Sequence, residues 1–144
     1  MSCGATKNTS KSIDNTNITF KILQQGSLHG NGEEAIEKSE MLIKDAKTWE
    51  NLLRKMRTTN HLPEKLLNTK IDFSKENIIA VFMPVLGAGG SSVEIEKITS
   101  NDNNIVVKVN YISKSGLSIA VMNQPYIIVK IPAQDKEIVF NIQK

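Results

Sequence analysis

The run Ile78-Ile79-Ala80-Val81-Phe82-Met83 constrains the fold more than any other stretch of this chain. It is nearly continuous apolar, which reads as a strand covered on both faces. Ile105, Val107, Val109 and Tyr111 instead alternate with polar neighbours, as on a sheet with one wet face. From Ile71 onward the same kind of segment recurs: Glu94 to Ile98, Ser118 to Met122, Tyr126 to Ile131, and Ile138 to Ile142. Asn101-Asp102-Asn103-Asn104 supplies one turn and Asp135-Lys136 a tight turn between the last two strands. Short strands at regular spacing predict an α+β, mainly β fold, an antiparallel β-sandwich or open barrel with one packed helix.

The helix is expected over about 45–57. Asp45 offers a side-chain oxygen to the first free amides, and Trp49, Leu52, Leu53 and Met56 fall on one apolar face. Lys47, Glu50, Asn51, Arg54 and Lys55 occupy the opposite face, so Trp49 should anchor the helix on a sheet. Pro63 is suited to begin a second short helical turn. Ahead of the helix, Ile18-Thr19-Phe20-Lys21-Ile22 alternates like a half-buried strand, and Asn31-Gly32 is a hairpin-closing pair. Ala35 to Ile43 is then expected to return beside the first strand as a long β-hairpin.

A chain of 144 residues fits one domain that builds a core without metal or disulfide staples. Its 18 basic and 15 acidic residues are scattered, and a net charge of +3 without a basic stripe argues against nucleic acid. No apolar stretch approaches the ~20 residues that span a bilayer. Met1-Ser2-Cys3-Gly4 is similar to the end of a bacterial lipoprotein signal, which makes Cys3 the expected lipid anchor. Residues 1–17 then form a polar, disordered tether, and 18–144 a single β-rich domain.

Two short signatures stand out within the strands: Leu86-Gly87-Ala88-Gly89-Gly90-Ser91-Ser92-Val93 and Gln124-Pro125-Tyr126. Both read as turns that deliver the chain into a strand, where recognition loops tend to sit. Gly87, Ala88, Gly89, Gly90, Ser91, Ser92, Gln124, Pro125 and Tyr126 are therefore the candidate partner-binding residues. The plainer reading is that Gly89 and Gly90 satisfy a hairpin needing positive φ, and that Tyr126 is core.

Catalysis finds no support in the residue pattern. Cys3 has no means of holding His29 or His61 beside it as a base, and no nucleophile-elbow pattern begins a serine triad. His29 with Glu33 and Glu34 lacks a recognisable ligand spacing, so no metal is expected. The turn at Gly87-Ala88-Gly89-Gly90 opens a strand and lacks the Lys-Ser/Thr that follows a phosphate loop. No cofactor is expected.

In their order and spacing, Ile71-Asp72-Phe73-Ser74-Lys75, the apolar strand, Gly89-Gly90 through Ile98, and Gln124-Pro125-Tyr126 through Ile131 resemble the C-terminal domain of PrcB, a protease-complex subunit. The resemblance covers about half the chain. Ser91-Ser92 stand where an aromatic often follows the Gly-Gly turn, and Ile127 stands where a His commonly follows Pro-Tyr. The resemblance implies a small, often lipid-anchored bacterial envelope protein that is not itself the protease. The expected function is a non-catalytic, protein-binding accessory subunit, facing the periplasm or cell surface, whose partner is an envelope or secreted protease. A β-sandwich protease inhibitor and a structural envelope lipoprotein without a single partner are the alternatives.

Overall fold

A computed structural model describes residues 16–29, 37–57, 62–85, 91–112 and 123–143. Its strands are β1 (Thr16–Asn17), β2 (Lys21–His29), β3 (Ser39–Ile43), β4 (Glu76–Phe82), β5 (Ser92–Ser100), β6 (Asn104–Ile112), β7 (Asn123–Pro132) and β8 (Glu137–Gln143). Helix α1 spans Ala46–Met56 and α2 spans Glu64–Leu67, between β3 and β4. The strands form two separate four-stranded sheets, ordered β2-β7-β4-β3 and β1-β5-β6-β8, not closed into a barrel. Of the two expected β architectures, the molecule is the sandwich.

Alternation along the two central strands builds two cores from one sheet. Ile78, Ala80 and Phe82 of β4, with Tyr126 and Ile128 of β7, face the helices. Ile79, Val81, Ile127, Val129 and Ile131 face the second sheet. The continuous apolar run is therefore covered on both faces, as its composition requires. The second sheet meets it with Val93, Ile95, Ile98, Ile105, Val107 and Val109, while its other face carries polar side chains. A β-bulge at Glu96, between Ile95 and Lys97, shifts the β5–β6 register so that Ile98 returns to the core.

Helix α1 forms where expected. Asp45 caps it, its carboxylate accepting from the Thr48 amide at 2.8 Å and the Thr48 hydroxyl at 3.0 Å. These bonds hold the Asp45 carboxyl below its ordinary pKa. Trp49, Leu52, Leu53 and Met56 all pack against the first sheet. Burial of each large side chain contributes about 1.5–3 kcal/mol, so this face rather than helix propensity sets the helix in place.

Two expectations are corrected. β2 and the strand after it do not form a hairpin: β2 pairs with β7, and β3 pairs with β4, at opposite edges of the first sheet. The reason lies in β4 and β7, which pair with each other and, as central strands, each require a second neighbour. A local hairpin set on one side would leave the other of the two at an open edge.

The last two strands likewise are not joined as a hairpin. β7 belongs to the first sheet and β8 to the second, so Asp135-Lys136 carries the chain between sheets. Arriving this way, β8 runs parallel to β6, the one parallel pair among the described strands of an otherwise antiparallel fold. Lys136 Nζ fastens the connection by donating to Ser100 Oγ and the Asn101 carbonyl. The turn at 101–104 joins β5 to β6 as read, with Asn101 Oδ1 accepting from the amides of Asn103 and Asn104. Thr16 and Asn17, placed by sequence in the tether, pair with Ser100 and Thr99 of β5.

Candidate protein-binding end of the sandwich

Strand register gathers the functional candidates at one end of the molecule. In the first sheet His29 pairs with Asn123, Tyr126 with Phe82, and Phe82 with Ser39. In the second, Ser92 pairs with Ile112. The two ends coincide, because Gln25 of β2 donates across the sheets to the Val93 carbonyl at 2.8 Å. The residues flanking segments 30–36, 86–90 and 113–122 therefore all stand at the same end. The opposite end is closed by the shorter links 18–20, 101–103 and 133–136.

Gly87, Ala88, Gly89 and Gly90, with Leu86, lie outside the described residues, as do Cys3 and the expected strand Ser118 to Met122. Ser91 and Ser92 are half-buried at the start of β5, on the second sheet. Gln124, Pro125 and Tyr126 are not a loop: all three belong to β7, and their side chains are buried. A strand flanked on both sides and covered on both faces leaves them no solvent to reach. Tyr126 is 3% exposed and stacks on Phe82 with ring centroids 5.6 Å apart. Burial pushes its hydroxyl pKa up, with the Gln24 side chain acting the other way.

Gln124 and Pro125 hold the chain where it leaves β4. The Gln124 side-chain amide donates to the Met83 carbonyl at 2.9 Å, and the Met83 amide donates to the Pro125 carbonyl at 3.0 Å. Met83 is where β4 gives way to Pro84-Val85 and the segment that follows. The second signature thus meets the end of β4 through backbone and amide contacts, beside the Phe82–Tyr126 stack. A buried amide bond to a carbonyl fixes where the chain departs, because breaking it would strand a polar group out of water.

One charged cluster at this end has no signal in the sequence. Lys38 and Glu40, at the start of β3, form an ion pair at 2.9 Å, which raises the Lys38 pKa. Tyr111, at the end of β6, lies beside them, and burial raises its hydroxyl pKa foremost. These residues come from different sheets, 71 or more positions apart in the chain, so only the tertiary register brings them together. Among the described residues no three His, Cys, Asp or Glu side chains converge to hold a metal ion.

Residues 78–132 match the family described as PrcB C-terminal. The match runs from β4 through β7 and takes in two central strands of the first sheet, the β5–β6 hairpin, and both signatures. No curated protein and no solved structure matches the chain. Over the segment from Ile78 to Pro132, which carries the paired central strands, the chain is similar to the PrcB C-terminal family.

Proposed function

We propose that this chain is a non-catalytic protein-binding module that serves as an accessory subunit of an envelope protease complex and docks through the loop end of its sandwich. The observation carrying this reading is that the described residues flanking segments 30–36, 86–90 and 113–122 stand at one end of the sandwich. Connections displayed on a rigid frame are where recognition is concentrated. Ser91 and Ser92 mark the accessible border of that surface, whereas Gln124, Pro125 and Tyr126 support it from within. In this reading Gly87, Ala88, Gly89 and Gly90 are the contact segment, its three glycines having no side chain to cover their backbone groups. Cys3 carries a lipid anchor in this reading, and residues 1–15 connect the domain to the membrane.

A β-sandwich protease inhibitor is the second reading, favoured by the bonds of Gln124 and Pro125 to Met83, which hold the chain three residues before the first signature begins. An inhibitor inserts one such tip into a cleft. Affinity capture from envelope extracts, followed by assay of the captured protease with and without purified domain, separates the two. Unchanged or increased peptide turnover supports the accessory subunit, and stoichiometric loss of turnover supports the inhibitor. Peptide hydrolysis by the domain alone would overturn both.

A further inference from the structure

At the opposite end from the loops, the first sheet carries a cleft of about 580 Å³, a volume typical of small-molecule sites. It opens where β2 begins, β4 begins and β7 ends. Its surface is mainly apolar, supplied by Phe20, Pro132 and the alkyl stems of the lysines, over the buried Ile131, and Lys21, Lys75 and Lys130 line it with their charges.

The charges around this cleft do not cancel. Glu76 also lines it, but its Oε2 is bound to Lys130 Nζ at 3.0 Å and its Oε1 accepts from the Asp72 amide. Asp72 is committed to its own turn, accepting from the Ser74 amide and hydroxyl, and these bonds hold its carboxyl below the ordinary range. Lys21 and Lys75 have no ion-pair partner among the described residues. Lys21 also stands directly opposite Lys130 across the β2–β7 pair, and opposed like charges on neighbouring strands are destabilising. Asp72 stays ionised, so three lysines stand against two carboxylates around the apolar cleft and its net charge is positive.

We propose that this cleft binds a long-chain carboxylate as a monomer, with its alkyl body against Phe20, Pro132 and the lysine stems and its head between Lys21 and Lys75. Lysine ammonium groups act as point charges on flexible stems, which suits a single terminal carboxylate without requiring a bidentate fork. The site shares no residue with the loop end and does not rest on the proposed docking function.

The test is calorimetry of the full chain with dodecanoate below its micellar concentration, with dodecyltrimethylammonium and dodecyl maltoside as cationic and neutral controls. Saturable one-to-one binding of dodecanoate is expected, with amide resonance shifts at Phe20 and Ile131 and with at least tenfold weaker binding by the controls. Lys21→Glu with Lys75→Glu, both on a solvent-facing rim, should weaken dodecanoate at least tenfold while the thermal transition of the protein stays cooperative. Equal binding of the cationic or neutral chain, unchanged affinity in the double variant, or shifts confined to Ser91 and Ser92 would overturn the proposal. So would binding of a poly-glutamate peptide or of anionic phosphatidylglycerol vesicles in the absence of any monomeric dodecanoate binding.

Discussion

Gln124 shows how a residue chosen for exposure can matter through burial. Read as part of a partner-facing turn, it is 2% exposed and gives its side-chain amide to the Met83 carbonyl. Gln124→Leu should destabilise the domain by about 1–3 kcal/mol, the range for leaving a buried acceptor unpaired. Urea denaturation measures it, and a change below about 0.5 kcal/mol, ordinary for a surface site, would contradict the clamp. Asp45 makes a prediction of a different kind. Bonds to Thr48 lower its folded pKa below the ordinary 3.8, so its contribution is complete above that value and disappears as pH falls through the folded pKa. The difference in thermal midpoint between the protein and Asp45→Ala should therefore persist at neutral pH and close in acid. A difference independent of pH would show that the cap works without its charge. Asp45 was legible in the sequence because capping is local. Gln124 was not, because its partner lies 41 positions away.

At the level of elements, helix α1 was read well, whereas the first strand, expected over Ile18 to Ile22, runs over Lys21–His29, and strand pairing was not read. Helix α1 follows from the Asp45 cap and the spacing of Trp49, Leu52, Leu53 and Met56, all of which do face the first sheet. Trp49 is 5% exposed, and Trp49→Ala should destabilise the protein by about 3–5 kcal/mol, as expected for emptying a large aromatic site. Chemical denaturation reads this directly, and a loss below about 1 kcal/mol would mean the helix is peripheral. The Asn31-Gly32 pair, by contrast, suggested a hairpin that the molecule does not make. Turn chemistry registers only neighbours in sequence, whereas β2 and β3 are claimed by β7 and β4 as flanking partners for two strands buried on both faces. The parallel pairing of β6 and β8 escaped for the same reason, since alternation identifies a strand's buried face but not the sheet it joins.

For the whole molecule, the sandwich class was legible from strand periodicity, and the family segment from short motifs in order. The arrangement of the candidate site was not, because it depends on which strands share an end. Register brings the flanks of segments 30–36, 86–90 and 113–122 together and turns Gln124, Pro125 and Tyr126 inward, leaving Ser91 and Ser92 as described residues at the border of the proposed surface. The central functional claim is that this end docks a protein partner. Its most direct test is calorimetric affinity of the captured partner for the protein, for Ser91→Glu with Ser92→Glu, and for Asp102→Lys at the far end as a control, each with its thermal transition measured alongside. A desolvated, unpaired charge at an interface opposes binding strongly. The account expects the serine pair of charges to weaken binding at least tenfold with an unchanged thermal transition, and the far-end change to leave affinity intact. Equal affinity for all three proteins would contradict docking through the loop end.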